Sequence, residues 1–406
     1  MNEATKRFIE THRLEDVPRL ALQKAPGDAV DMSFALNQIQ GWQIAKKKIP
    51  SWANTDGILY PPHLSLEQCS SEQTALYKQR LCHRLLLHPL LRQRKPFSLV
   101  DLTGGLGVDF SFMSREFDRS CYVERQKELC ELAENNFPLL GLDNAKVMCQ
   151  EAETFLSETS PVTFCFLDPA RRDTHGGRTY AITDCTPDVI RLKDVLLKSA
   201  DYVLLKLSPM LDWHQVVQQL GDVLEVHIVS VGNECKEILV VMSEKFHQPL
   251  QLFCVDDEDV FLPLSDKSAD LQNKAISSDN IDTWSFLYEP NSSIMNAGCF
   301  DAITRQFPVV QISANSHLFV SEKKVDAFPG RQFRIIDIAT MNKRSLKLFL
   351  RDLKQANITV RNFPMSVAEL RKRLRLGEGG DIYLFATTTA DRQHILLKTK
   401  KQMKNK

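Results

Sequence analysis

One stretch, Leu99-Val100-Asp101-Leu102-Thr103-Gly104-Gly105-Leu106-Gly107-Val108-Asp109-Phe110, constrains the fold more than any other part of this 406-residue chain. A short apolar run with Asp101 near its end breaks into a glycine turn, and the turn opens a helical pattern through Val108, Phe110, Phe112, Met113 and Phe117. Strand, tight loop and helix in that order make a ligand-facing corner of an open α/β sheet. There the glycines admit a ligand to the backbone and a helix N-terminus faces it. A dinucleotide fingerprint needs a glycine three positions after Gly107, where this chain has Phe110. Asp101 points the same way, because a carboxylate at a strand tip repels a pyrophosphate and attracts a cation.

S-adenosylmethionine (SAM) carries an ammonium and a sulfonium and no phosphate. The stretch resembles the first motif of class I SAM-dependent methyltransferases, an acidic residue followed by G-x-G, here Asp101, Gly105 and Gly107. The resemblance implies an α/β fold with a seven-stranded Rossmann-like sheet, SAM as cofactor without a metal, and Asp101, Thr103, Gly104, Gly105, Gly107 and Asp109 as cofactor-binding residues. Downstream, Ser120 to Glu124 reads as a second strand. Glu124 lies 23 positions after Asp101, where a strand-tip carboxylate accepts the ribose hydroxyls. A third strand, Ala145 to Cys149, leads into Gln150-Glu151-Ala152-Glu153. In methyltransferases this place accepts the adenine amino group, which assigns Glu151 and the Ala152 backbone N–H to the adenine. Upstream, the turn holding Gln68, Ser70 and Ser71 has two readings. Ser70 or Ser71 is a helix N-cap, or the turn hydrogen-bonds the ammonium and carboxylate of SAM.

The fourth strand, Val162 to Leu167, ends in Asp168-Pro169-Ala170-Arg171-Arg172-Asp173. This resembles the Asp/Asn-Pro-Pro-aromatic motif of methyltransferases that act on base nitrogens, with Arg171 replacing the aromatic. The resemblance makes Asp168, Pro169 and Arg171 the catalytic candidates, Asp168 orienting the target and Arg171 contacting a phosphate or a base. Carbon methylation through a cysteine nucleophile is discounted, since Tyr202 to Met210 after the fifth strand holds no cysteine. Lys206 in that strand receives no assignment. Val223 to Ser230 and Ile238 to Ser243 read as a closing antiparallel pair.

The net charge of zero conceals an asymmetry: residues 323–406 carry 20 Lys/Arg against 7 Asp/Glu. Such a split suggests a basic terminal domain that meets a polyanion. The region alternates strand, basic helix, strand, basic helix and hairpin, with expected helices at Lys343 to Gln355 and Val367 to Leu376. Order and charge resemble the THUMP-like domains attached to some bacterial SAM-dependent methyltransferases, which also show the Ser71-Glu72-Gln73-Thr74-Ala75 turn, the Asp168-to-Arg172 motif and the Pro329-Gly330-Arg331 boundary. THUMP domains bind RNA, so the resemblance implies structured rRNA or tRNA as partner. The expected organisation is a helical domain at 1–95, a methyltransferase domain at 96–245, and a linker with a small ferredoxin-like α+β unit at 246–327. A THUMP-like domain at 328–398 and a basic tail at 399–406 complete it. Ten scattered cysteines without a C-x-x-C pair, no apolar run long enough for a membrane, and a charged N-terminus point to a cytoplasmic protein. The function expected is SAM-dependent methylation of RNA at a base nitrogen or other non-C5 position. The alternatives are an RNA-binding protein on a degenerate methyltransferase scaffold, and a small-molecule or protein methyltransferase.

Overall fold

A computed structural model of the chain describes residues 1–23, 29–91, 94–171, 182–263, 281 and 283–402, apart from the side chains at 63–65, 171 and 184. They form two compact units, residues 1–227 with 236–251 and residues 228–235 with 252 onward.

The first unit begins with six helices: α1 (Glu3–His12), α2 (Val17–Ala21), α3 (Met32–Lys48), α4 (Pro50–Ala53), α5 (His63–Gln68) and α6 (Glu72–Leu86). Asn2, Asp16, Asp31 and Ser71 each accept an N–H of the turn they precede, which starts α1, α2, α3 and α6. Ile49, Trp52, Tyr60, Leu66 and Ala75 are buried together with Leu106, Val108 and Phe112, which follow the glycine turn.

The sheet comprises β1 (Ser98–Asp101), β2 (Arg119–Glu124), β3 (Ala145–Cys149), β4 (Val162–Leu167), β7 (Ala200–Leu207), β8 (Val223–Val231) and β9 (Glu234–Met242). The short β5 (Ala170–Arg171) and β6 (Cys185–Thr186) pair separately. The strand order β3-β2-β1-β4-β7-β9-β8 is the expected seven-stranded arrangement, parallel until β9, which runs antiparallel to β7. Strands covered on both faces need continuous apolar runs, and Phe164 to Leu167 and Val203 to Leu205 are each at most 1 % exposed. Helices α7 (Val108–Met113), α8 (Lys127–Leu139), α9 (Ala152–Glu158), α10 (Val189–Ser199) and α11 (Trp213–Leu220) connect the strands. Because β1 is flanked by β2 and β4, the chain reverses direction across the sheet there, opening the crevice that such sheets use for ligands.

In the second unit, β10 (Gln251–Asp256) and β11 (Asp259–Phe261) form a hairpin. In strand order they follow β8, whose residues 228–231 belong to this unit, so nine strands stand where seven are expected. The acidic run Asp256-Asp257-Glu258-Asp259, within the stretch expected to hold a linker, forms the hairpin turn. Gly232 and Asn233 donate to Asp257 and Asp256 at 2.9 Å, which compensates two of its carboxylates. A second sheet joins β12 (Phe286–Pro290), β13 (Val310–Gln311), β14 (Phe319–Ser321), β15 (Gly330–Thr340), β16 (Asn357–Val360), β17 (Ile382–Thr388) and β18 (His394–Lys401) in the order β13-β14-β12-β15-β18-β17-β16. Its helices are α12 (Ser292–Ala297), α13 (Phe300–Gln306), α14 (Lys343–Phe349) and α15 (Val367–Leu374). Along β17, Phe385 belongs to one apolar cluster and Leu384 and Ala386 to another, so alternate side chains fill cores on both faces. Helix α14 is shorter than the expected 343–355. Past Leu350 the chain turns to a bridge in which Ala356 donates to the Gly377 carbonyl and Gly377 to the Lys354 carbonyl. Among the described residues, no helix is long and apolar enough to cross a membrane.

Candidate active site

Beyond the carboxyl ends of the first unit's parallel strands lies a cavity of about 790 Å³. The four acidic strand tips, Asp101, Glu124, Glu151 and Asp168, all line it. So do Thr103, Gly104, Gly105, Gly107 and Asp109 of the glycine turn, Gln68 and Ser70 of the turn before α6, and Ala152 and Pro169. Ser71 is the one cofactor candidate absent from this lining. Its hydroxyl accepts the Thr74 N–H at 3.3 Å, so the capping reading accounts for it. Arg171 pairs through its backbone with Cys185, while its side chain, like Arg172 and the turn at 175–178, lies outside the described residues.

The glycine turn is shaped by aromatic rings beneath it. A Cβ on Gly104 would stand 2.1 Å from Tyr122 Cε2, and one on Gly107, where φ is +83°, 2.9 Å from Phe137. The Tyr122 hydroxyl donates to the Gly105 carbonyl. Glu124 secures the same turn: its carboxylate accepts the N–H groups of Gly105 and Gln126, both at 2.9 Å. Each of its oxygens retains a second lone pair for a ligand. Asp101 is 1 % exposed and accepts the Thr103 N–H at 3.0 Å. Burial pushes its carboxyl well above the ordinary aspartate range, the Thr103 contact opposing this only in part. Thr103 also accepts the Asp168 N–H at 2.6 Å, tying the tips of β1 and β4 together. Glu151 stands in a more open place, its side chain 59 % exposed, with Arg125 at 3.9 Å.

Sequence reasoning missed a chain of charges behind these tips. Lys206 Nζ lies 2.5 Å from Asp168 Oδ2 and 3.3 Å from Asp109 Oδ2. Lys78 Nζ, on α6, lies 3.1 Å from Asp109 Oδ1 and 2.5 Å from Glu237 Oε1 of β9. Ser70 donates to Asp109 at 2.7 Å. Burial would raise the Asp109 pKa, but Lys78 and Lys206 outweigh it and hold the carboxyl below its usual range. At Glu237 burial prevails and the carboxyl is raised. The available signal was a charge on an apolar background: Lys206 in the apolar run of β7, and Lys78 on a face of α6 that also carries Ala75, Leu81 and Cys82.

The second unit holds a buried carboxylate between two part-exposed arginines. Glu289, 2 % exposed, accepts from Arg331 Nε at 2.7 Å and from Arg361 at 2.9 Å. Arg371, expected on a basic face, donates to the carbonyls of Ala356 and Gly377 at 3.0 and 2.7 Å.

Comparison with known proteins bears on this arrangement. A family model for a THUMP domain-like module matches residues 330–401, and one for a ferredoxin-like domain matches residues 286–329. The crystal structure of a "putative methyltransferase" from Porphyromonas gingivalis W83 is similar at 30 % identity with a TM-score of 0.81, covering 98 % of each chain. The human methyltransferase 10 domain containing protein, at 16 % identity, covers 45 % of this chain and 86 % of its own with a TM-score of 0.35. A "putative RNA methyltransferase" from Pyrococcus horikoshii, at 13 % identity, covers 50 % and 99 % with a TM-score of 0.34. No protein of curated function matches the sequence. On the full-length likeness to the Porphyromonas protein and the two matched domains, the chain belongs to the family of methyltransferases that carry a THUMP-like domain.

Proposed function

We propose that the chain binds SAM in the cavity of the first unit and transfers its methyl group to RNA. The observation that carries this reading is the convergence of Asp101, Glu124, Glu151 and Asp168 on one cavity beside a glycine turn. A dinucleotide would set its pyrophosphate among carboxylates. A ligand with an ammonium and a sulfonium meets complementary charge, and the glycine turn, seated on the Tyr122 and Phe137 rings, presents bare backbone to it.

In this reading Glu124 accepts the ribose hydroxyls, and Glu151 with the Ala152 N–H holds the adenine. Asp101, Gln68 and Ser70 face the methionine end. When bound, SAM supplies an electrophilic methyl group. Asp168 orients the acceptor, and Pro169 fixes the chain that follows. Because the transfer is an in-line displacement, alignment of the acceptor matters more than strong acid or base chemistry. The RNA reading draws on the THUMP-like match and on exposed cations of that domain, Lys343, Arg344 and Lys347 on α14 and Lys372 and Arg373 on α15. Such groups neutralise phosphates and make binding steeply salt-dependent.

Titration calorimetry with SAM tests the first half: heat of binding is expected, and a folded sample that gives none at high protein concentration removes the reading. Transfer of labelled methyl to RNA from a strain lacking the gene tests the second. RNA retention without incorporation would leave a binding protein, and label that survives nuclease treatment would name another substrate.

A further inference from the structure

Two ammonium groups stand among the carboxylates of this site, and a cavity that only holds a cationic cofactor has no use for them. Lys206, with its side chain 13 % exposed, lines the cavity beside Asp168, at 2.5 Å, and donates to Asp109 at 3.3 Å. Lys78, fully buried, braces Asp109 from behind and is itself held by Glu237 at 2.5 Å. The contributing elements α6, α7, β7 and β9 and the end of β4 are far apart in sequence, so the cluster is a built feature and not a local accident. Burial alone would lower the Lys206 pKa, but Asp168 and Asp109 outweigh it and hold the ammonium well above the ordinary lysine range. An ammonium has three N–H groups. Among the described residues two are taken by Asp168 and Asp109, which leaves one for an acceptor brought to Asp168.

We infer that the methyl acceptor is a hydroxyl oxygen of RNA, a ribose 2′-OH, with Lys206 and Asp168 as the catalytic pair that addresses it. This rests on the RNA methyltransferase reading above. An exocyclic amine gains positive charge as its N–C bond forms, and a fixed ammonium at the same place opposes that change. A hydroxyl oxygen gains negative charge as its proton departs, and the same ammonium stabilises it. The lining agrees. A base drawn out of its stack is commonly held against an aromatic ring. Among the described residues the cavity's one aromatic is Phe166, 1 % exposed within β4. A 2′-OH lies on the backbone and is reached without removing the base from its stack.

The step balances within these groups. A lone pair of the 2′ oxygen forms the O–CH₃ bond while the methyl–sulfur bond breaks and its electrons return to sulfur. The hydroxyl proton passes to the Asp168 carboxylate, whose side chain is 42 % exposed and releases it to water. Lys206 keeps its proton throughout, and Lys78, Asp109 and Glu237 are positioning residues.

The test incubates the full chain with methyl-labelled SAM and RNA from a strain lacking the gene, then digests the RNA in alkali, which cuts only beside a free 2′-OH. Label in alkali-stable dinucleotides is the expected result. Label in mononucleotides as a methylated base overturns the inference while leaving the RNA methyltransferase reading intact. No label in RNA from a protein that binds SAM overturns that reading and the inference with it. In parallel, Lys206→Met should lower transfer at least about a hundredfold while its calorimetric SAM affinity stays within about twofold of the parent, and Lys206→Arg should recover part of the rate. A Lys206→Met protein that loses SAM affinity in proportion to its rate assigns the lysine to the cofactor and overturns its role at the acceptor.

Discussion

Replacing Lys78 with methionine isolates the charge behind the active site, because the two side chains are similar in length and the change removes a cation with little change of volume. Lys78 is fully buried, with Glu237 Oε1 at 2.5 Å and Asp109 Oδ1 at 3.1 Å. Asp109 would keep Lys206 at 3.3 Å and Ser70 at 2.7 Å, whereas Glu237 loses its one ion pair among the described residues. Stranding one partner of a buried pair costs about 3–5 kcal/mol. For a cooperative unit of roughly 240 residues, each kcal/mol moves the melting midpoint by about 2–4 °C, so Lys78→Met should melt about 6–20 °C lower. The loss should also depend on pH. Burial already places the Glu237 carboxyl above its unfolded value of 4.5 with Lys78 present, and removing the lysine raises it further. A carboxyl whose folded pKa exceeds its unfolded pKa binds more protons in the native state, so its contribution to stability falls as pH rises between the two. Scanning calorimetry at about pH 5 and about pH 8 should therefore show the larger deficit at the higher pH. Adding Glu237→Gln should recover much of it. A midpoint within about 2 °C of the parent at the higher pH, or no recovery in the double variant, would refute the argument that these charges depend on one another.

Asp101→Asn is expected to flatten the pH dependence of stability. The buried carboxyl is raised well above its unfolded 3.8, so the parent loses stability relative to the variant as pH climbs from about 4 toward neutrality; parallel urea-denaturation curves across that range would contradict this. Glu124→Gln should weaken SAM binding by about tenfold to a hundredfold, since a charge-assisted acceptor is lost, and calorimetry giving an unchanged Kd would remove its role at the ribose. Gly104→Ala drives a Cβ to 2.1 Å from Tyr122, which forces the turn aside; SAM affinity should fall at least about tenfold, and retained affinity would show that the turn has room to move. In the second unit, Glu289→Ala leaves Arg331 and Arg361 without their carboxylate. Both guanidiniums reach solvent, so the cost should be about 1–3 kcal/mol, read as faster amide exchange in β12 and β15 with β1 and β4 unaffected.

The sequence by itself determined the elements and the near face of the site. Periodicity and apolar runs separate helices from strands because 3.6-residue and two-residue repeats cannot be confused over a long element. The glycine turn, the carboxylates at the strand ends and Asp168-Pro169 are each written within a few residues, and strand order then brings Asp101, Glu124, Glu151 and Asp168 to one cavity. Tertiary structure alone decided what lies behind them. Lys78, Asp109, Lys206 and Glu237 span 159 positions from first to last, and no local pattern ties a lysine in a helix to a glutamate in a distant strand. Only packing shows that each compensates another's charge. The same limit explains the second unit, where Arg371 reads as part of a basic helix but serves two backbone carbonyls, and where Glu289 is buried between Arg331 and Arg361. Charge in a sequence says what a residue can bind; burial, which depends on the whole fold, says what it must.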